Sequence, residues 1–245
     1  MTGGLDVTVL GCDGSYAGPR GACSGYLVRG GATSVWMDCG PGTLANLQQH
    51  VSLSELSGIV VSHAHPDHWV ELAVALNAFR FYVGRSGVPL FTTAETLSRL
   101  EAMKGVPVNE TFDFQQISDG SKFDLDGISF TCALTDHPVE TMSMRVESGG
   151  RSFAYSADTG PGWQLSSLPP VDLALVEATM RADQSGQAPH LTTIEAGERA
   201  RNAGAPRLVI THLPPGADPD ASRDEAASAY GADVQVATTH MRIDI

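Results

Sequence analysis

The stretch VVSHAHPDHWVEL, residues 60–72, places three histidines and an aspartate within six positions, directly after an apolar run. These polar residues are His63, His65, Asp67 and His68. A single histidine in such a place is usually only a hydrogen-bonded polar group. Four imidazole and carboxylate groups at this spacing are typical ligands of zinc and similar ions. The stretch therefore predicts a site for one or two metal ions, and the rest of the chain should supply the missing ligands.

Length, composition and charge narrow the class of protein. The chain has 245 residues, 42% of them hydrophobic, which is enough for one sizeable core. We expect residues 1–245 to form a single domain. The net charge is −13, with only 15 lysines and arginines. Such a surface repels polyanions, so a long nucleic acid is disfavoured as a partner.

No feature of the chain indicates export or a membrane. Its apolar runs are shorter than the ~20 residues that a membrane helix needs, and its first residues lack the pattern of a signal peptide. We therefore expect a cytoplasmic protein with no membrane partner. Its four cysteines are scattered and contain no CxxC pair, so they are expected to be free thiols: Cys12, Cys23, Cys39 and Cys132.

Apolar runs bounded by turn residues predict strands in both halves of the chain. Helical patterns lie between them. This arrangement favours two sheets between layers of helices over a single doubly wound sheet. The predicted strands are 7–10, 26–29, 34–38, 59–62, 128–134, 142–146, 152–156, 173–177 and 208–211, and the predicted helices are 71–81, 93–103, 192–203 and 222–229.

Three more residues of ligand type directly follow strand-like runs. His137 follows ISFTCALTD, Asp158 follows SFAYSA, and His212 follows RLVIT. Proteins with α/β folds place their sites at the carboxyl ends of strands. We therefore expect these three side chains to meet the cluster at 63–68.

The motif SHAHPDH, residues 62–68, closely resembles the HxHxDH signature of the metallo-β-lactamase fold, and the three later residues match that superfamily's remaining ligands in order. The resemblance implies an αββα sandwich of two mixed β-sheets flanked by helices. It also implies two divalent ions, Zn²⁺ first and Mn²⁺ or Fe²⁺ as alternatives. An aspartate bridge, where the lactamases proper have a cysteine, points to the hydrolase branches. The implied ligands are His63, His65 and His137 for one ion, Asp67, His68 and His212 for the other, and Asp158 between them.

The stretch 176–215 resembles the phosphodiesterase branch that contains ribonuclease Z. There an E-A-T element precedes an H-x-T element, here residues 177–179 and 190–192. By this resemblance His190 contacts the scissile phosphate and protonates the leaving oxygen, and Glu177 fixes its tautomer. Asp67 would orient the attacking water and accept its proton. The alternative for His190 is an exposed loop histidine.

The short segment between His137 and Asp158 favours a small substrate over tRNA. Bacterial ribonuclease Z carries an arm for tRNA between the ligands that correspond to His137 and Asp158, which are only 21 positions apart here. The armless layout and HPVETMSMRV, residues 137–146, resemble the small hydrolases related to atypical class II cyclic-nucleotide phosphodiesterases. The expected partner is therefore a small anionic phosphodiester, with 3′,5′-cyclic AMP or a similar cyclic nucleotide first. Relatives often pair as homodimers, and the sequence leaves a homodimer open without deciding the oligomeric state.

Three other functions stay open. They are tRNA 3′-processing of the ribonuclease Z type, hydrolysis of a lactone or thioester by the same fold, and metal-stabilised binding without turnover. The E-A-T and H-x-T elements favour the phosphodiesterase over the second and third of these.

Several lesser features have structural and functional interpretations. The Gly-rich stretch GCDGSYAGPRGACSGY, residues 11–26, either borders the substrate or forms plain turns, and it lacks a P-loop pattern. Asp38 is expected to support a ligand or a turn. FRFYV, residues 79–83, is expected to be aromatic core rather than a stacking surface. His50 is expected on a helix surface and His240 in the last strand, both in structural roles.

Overall fold

The computed structural model describes residues 4–104 and 108–245, whose strands form two seven-stranded sheets. The strands of the first half are β1 (Leu5–Gly11), β2 (Gly25–Gly30), β3 (Thr33–Met37), β4 (Gly58–Val60), β5 (Val88–Thr92) and β6 (Phe112–Gln116). The second half contains β7 (Lys122–Leu125), β8 (Ile128–Leu134), β9 (Met142–Ser148), β10 (Arg151–Tyr155), β11 (Leu173–Glu177), β12 (Leu208–Thr211), β13 (Val234–Val236) and β14 (Arg242–Asp244).

Both sheets are mixed. The first has the order β14-β1-β2-β3-β4-β5-β6, antiparallel as far as β3 and parallel from β3 to β6. The second has the order β13-β12-β11-β10-β9-β8-β7, parallel from β13 to β10 and antiparallel beyond. The carboxyl ends of β4, β8, β10, β11 and β12 carry the loops that lead to the predicted site residues.

The helices cover the outer faces of the sheets. Side chains alternate along each strand, so that Val28 and Val35 face the core between the sheets, while Leu27 and Trp36 face the helices. The predicted αββα sandwich of two mixed sheets is therefore confirmed. The helices are α1 (Thr43–Leu47), α2 (Pro66–Trp69), α3 (Leu72–Asn77), α4 (Ala94–Lys104), α5 (Thr193–Asn202) and α6 (Pro219–Tyr230), and a π-helical turn, Ala78–Val83, extends α3.

Three local expectations need correction. His50 lies in the turn after α1, and His240 lies in the turn before β14 with φ +69°, so neither is on the predicted element. Their ring nitrogens are 2.9 Å apart. Within 79–83 only Phe79 is core, because the π-helical turn leaves Phe81 and Tyr82 68% and 89% exposed. The four cysteines are free thiols.

In the described part of the chain, no helix combines the length and the apolar character that crossing a bilayer requires.

We expect Phe130→Ala to lower the free energy of unfolding by about 3–5 kcal/mol, because Phe130 is buried between the sheets. Its ring stacks on Phe123 at 4.7 Å, and Phe123 stacks on Phe91 of the other sheet at 4.1 Å. The matched control is Phe81→Ala, on the exposed π-helical turn, which should change stability by less than about 0.5 kcal/mol. Urea denaturation of both variants measures the difference, and equal losses would contradict the packing described.

Candidate metal centre

The HxHxDH stretch is held in shape by its own backbone and by two side chains. His65 is extended (φ −76°, ψ 138°) and caps α2, whose first residue is Pro66. That single helical turn carries Asp67 and His68. The carbonyl oxygen of Ala64 accepts hydrogen bonds from Trp69 Nε1 at 2.9 Å and from an Arg99 guanidinium nitrogen at 3.0 Å. The segment between the first two histidines is therefore anchored to α2 and α4.

The structure brings all seven predicted ligand residues together in two groups. Within each group, one atom per residue lies within 4.8 Å of every other. We call the groups the first cluster and the second cluster. The first cluster contains His63, His65, His137 and Asp158, and the second cluster contains Asp67, His68, Asp158 and His212.

Asp158 belongs to both clusters, with one carboxylate oxygen facing each. Its Oδ2 lies 3.6 Å from His63 Nε2 and 3.9 Å from His137 Nε2. Its Oδ1 lies 3.1 Å from His68 Nε2 and 3.4 Å from His212 Nε2. Ligands of one tetrahedral zinc ion lie roughly 3.3 Å from one another. The side chain is thus placed to bridge two cations.

Comparison with known proteins identifies the family. Residues 33–213 match the family described as the beta-lactamase superfamily domain. The chain belongs to the beta-lactamase superfamily. It is 30% identical to the probable metallo-hydrolase YhfI of Bacillus subtilis, over 95% of this chain and 97% of that protein. The crystal structure of YhfI superimposes with a TM-score of 0.89, over 99% of this chain and 100% of that one.

Two further comparisons concern the branch of the superfamily. Ribonuclease Z of Mycobacterium bovis is 28% identical over 98% of both chains. Yeast PDE1 has a TM-score of 0.77 over the whole of both chains, with 12% identity, and shares the fold. Together these findings identify a metallo-hydrolase of the metallo-β-lactamase fold and support the ribonuclease Z-like branch.

The chemistry of the two clusters fits divalent cations. Among the described residues, none gives buried His63 Nε2 or Asp158 Oδ1 a hydrogen bond of good geometry, although such atoms are costly to leave unpaired. Burial lowers the pKa values of His63, His65 and His137, which favours the neutral imidazole that metal binding requires. The superfamily's metal chemistry therefore matches the donor atoms present.

The carboxylates of the second cluster attract positive charge. Burial alone would raise the pKa of Asp158, but the neighbouring His212 and His68 lower it well below its usual range. Burial likewise opposes the charged form of His212, and the carboxylate of Asp158 nevertheless raises the pKa of that histidine. The second cluster thus favours ionised carboxylates, and these favour the binding of a positively charged ion.

Hydrogen bonds behind the clusters orient four of the five histidine rings. The Nδ1 atoms of these four have partners on the side away from the cluster, so that Nε2 points inward. The exception is His65, whose Nδ1 is 3.1 Å from His137 Nε2. The four partners are Ser62 Oγ for His63 (3.0 Å), Asp38 Oδ2 for His68 (2.8 Å), Thr179 Oγ1 for His212 (2.8 Å) and the Pro189 carbonyl for His137 (3.1 Å).

Asp38 is the most connected of these supporting groups. Besides His68, its fully buried carboxylate accepts hydrogen bonds from the amide and hydroxyl of Ser62 at 2.8 and 2.9 Å, and from the Tyr155 hydroxyl at 2.7 Å. Ser62 directly precedes His63, the first predicted ligand, and Tyr155 ends β10, three residues before Asp158. One carboxylate therefore ties together the loops of both sheets.

A third group stands beside the clusters. Glu177 Oε1 accepts hydrogen bonds from His190 Nδ1 at 2.9 Å and from the amide of Thr159 at 2.8 Å, while its Oε2 accepts one from Thr179 Oγ1 at 2.7 Å. The His190 ring is 5.4 Å from that of His137 and 5.6 Å from that of His212. Burial lowers the pKa of His190, but Glu177 outweighs it and raises this pKa to about 9.

Two supporting contacts were not predicted from the sequence. The Tyr155 hydroxyl on Asp38 had no signal in the pattern of β10. The amide of Ser15 donates to Asp67 Oδ2 at 3.0 Å. The sequence indicated this contact only indirectly, because residues 11–26 were expected either to border the substrate or to form plain turns.

We expect Asp38→Asn to weaken binding of one of two Zn²⁺ ions by about 10–100-fold. An asparagine amide can donate to His68 Nδ1, which moves the ring proton to Nε2, the atom that faces the second cluster. Zinc titration against a chromophoric chelator measures the two affinities. The control is Asp172→Asn, whose carboxylate accepts from the amide of Ser152 at the opposite end of β10. Equal zinc affinities in wild type and Asp38→Asn would contradict the role of this carboxylate.

Proposed function

We propose that the protein is a dinuclear metal-dependent phosphodiesterase that hydrolyses a small phosphodiester, with a 3′,5′-cyclic nucleotide such as cyclic AMP as the first candidate. The observation that carries this proposal is the position of His190. Its Nδ1 is held by Glu177, and its ring stands next to one histidine of each cluster. A protonated imidazole at that place suits a reaction with a basic leaving oxygen.

The first and second clusters would each hold one divalent cation, Zn²⁺ before Mn²⁺ or Fe²⁺, with Asp158 shared. When bound, such ions supply Lewis-acid charge to an anionic ester and make water more acidic. Phosphodiesters resist hydrolysis because their negative charge repels nucleophiles, and bound cations offset that charge. Histidine and aspartate side chains that can hold two cations therefore suit a phosphodiester substrate.

The chain's own groups complete the chemistry. Asp67 is kept ionised: burial raises its pKa, but the hydrogen bond and charge of His212, with His68, lower it below the usual range. Its carboxylate can orient the attacking water and accept a proton from it. The raised pKa of His190, about 9, favours the protonated imidazole, whose Nε2 can donate its proton to the leaving oxygen. Glu177 holds the ring in position and stabilises the charged form.

Compactness supports a small substrate. The 21 positions from His137 to Asp158 are filled by β9 and β10, which are joined by the two-glycine turn Gly149–Gly150. Both glycines have positive φ, as such a tight hairpin requires. That segment leaves no length for an arm that could hold tRNA. The net charge of −13 also disfavours a long polyanion.

A substrate panel tests the proposal. Zinc-loaded and manganese-loaded protein should hydrolyse bis-p-nitrophenyl phosphate and cyclic AMP, and removal of the metal with a chelator should abolish both activities. A precursor tRNA with a 3′ trailer should be cut poorly, because the segment from His137 to Asp158 is too short to contain the arm. Preference for a lactone or thioester would replace the proposed ester class. Nucleotide binding without turnover of any ester would favour a binding protein.

We expect His190→Ala to retain both metal ions and to lose about 10²–10⁴-fold in turnover of a substrate with an alkoxide leaving group. With bis-p-nitrophenyl phosphate the loss should be much smaller, because p-nitrophenolate leaves without protonation. Steady-state kinetics and metal analysis of the same preparation measure both effects. The matched control is His240→Ala, whose ring contacts His50 rather than either cluster. Loss of metal together with activity would refute the assignment of a general acid.

A further inference from the structure

The Gly-rich loop after β1 reaches the second cluster through one backbone amide. We call residues 13–21 the capping loop. The Ser15 amide donates to Asp67 Oδ2 at 3.0 Å. The same oxygen lies 3.3 Å from His212 Nε2 and 3.6 Å from His68 Nε2, so it is the oxygen that Asp67 presents to the second cluster. The capping loop therefore supplies one of the contacts that orient this carboxylate.

Asp13 holds the capping loop closed. Its Oδ2 accepts a hydrogen bond from the Gly18 amide at 2.8 Å. A Cβ atom added to Gly21 would lie only 1.9 Å from this same oxygen. Glycine at position 21 is therefore required for the carboxylate to occupy this place. The backbone of Asp13 forms β-bridges with Cys23 and with Leu213. The Asp13 side chain thus connects the start of the loop to Gly18 in its middle and lies against Gly21 at its end.

The start of the loop is fitted closely against a predicted ligand. The Gly14 amide donates to the Leu213 carbonyl at 2.9 Å, and a Cβ on Gly14 would lie 2.5 Å from the His212 carbonyl oxygen. Ser15 has φ +64°, a conformation that costs a non-glycine residue about 1–3 kcal/mol. The loop must hold Ser15 in this conformation for its amide to reach Asp67, and the clamp of Asp13 provides that constraint.

We propose that Asp13 is a positioning residue for the cation of the second cluster. It acts through the capping loop: its carboxylate accepts a hydrogen bond from Gly18 and packs against Gly21, the loop positions the Ser15 amide, and that amide orients Asp67 Oδ2. The proposal rests on the dinuclear centre of the proposed function. It assigns to the Gly-rich stretch a role distinct from substrate contact and from plain turn formation.

Titration with Co²⁺ tests this proposal without measuring activity, because the absorption and stoichiometry of bound Co²⁺ report the two cations separately. Asp13→Ala should bind one of two Co²⁺ ions about 10–100-fold more weakly and leave the other unchanged. Asp13→Asn should bind both nearly as wild type does, because an amide oxygen can still accept from Gly18. Gly21→Ala should reproduce the loss, since its Cβ displaces the Asp13 carboxylate.

The matched control is Asp124→Ala. Asp124 Oδ1 accepts from the Gly127 amide at 2.9 Å in the β7–β8 turn, the same kind of contact at the end of β8 away from His137. This variant should bind both Co²⁺ ions as wild type does. Equal affinities in Asp13→Ala and Asp124→Ala, or weakening of both cations together, would overturn the proposal. If Asp13→Ala does not fold, full Co²⁺ affinity in Gly21→Ala overturns it instead.

The outcome for wild type separates this inference from the proposed function. Wild-type protein that binds fewer than two Co²⁺ ions contradicts the dinuclear centre itself. Wild-type protein that binds two, with Asp13→Ala and Gly21→Ala unaffected, contradicts only the role of Asp13.

Discussion

The structure depends on one buried carboxylate. Asp158 is 2% exposed and lies 3.1–3.9 Å from four imidazole nitrogens. An ionised carboxylate in a protein interior is costly unless positive charge or hydrogen-bond donors surround it. The loops after β4, β8, β10 and β12 must therefore all end at this point. A shift of β10 by one residue would turn every side chain of that strand to the opposite face and remove the carboxylate from both clusters.

Directional contacts between the sheets fix this register just below the clusters. The hydroxyl of Tyr155, in β10 of the second sheet, donates to the carboxylate of Asp38, which directly follows β3 of the first sheet. In the opposite direction, the Tyr26 hydroxyl lies 2.8 Å from Thr211 Oγ1, next to His212. The two rings are 5.1 Å apart, and burial raises both phenol pKa values, so each stays a neutral donor. Apolar packing holds the sheets together, whereas these hydrogen bonds specify how they align.

The sequence predicted which seven side chains would come together, because metal-binding sites leave little choice of residue type. All seven came together, as did the pair Glu177 and His190. The Ser15 contact was not predictable in the same way, since a backbone amide carries no signature of residue type. The role of Asp13 depends on how the loop closes, which its glycines do not specify.

Five strands, β5, β6, β7, β13 and β14, were not predicted from the sequence, and the first three have physical explanations. β6 and β7 are edge strands with mostly exposed polar residues, so the apolar runs that indicate buried strands are absent. β5 contains Pro89, which argues against a strand in the interior of a sheet. The run 79–83 is aromatic and aliphatic except for Arg80, and its pattern does not show which ring is buried; the π-helical geometry turns Phe79 inward while Phe81 and Tyr82 face solvent.

Under the proposed function, the charge distribution bears on the size of the substrate. A protein of net charge −13 repels an anion at long range, and screening limits that repulsion to about 8–10 Å at physiological salt. A small diester meets the acidic surface only briefly before it reaches the histidines and any cations between them. A long polyanion remains close to that surface over many phosphates, and each one adds repulsion without a further cation to offset it. Because only the buried clusters would attract phosphate, the protein should favour a substrate with a single phosphate group over a polymer with many.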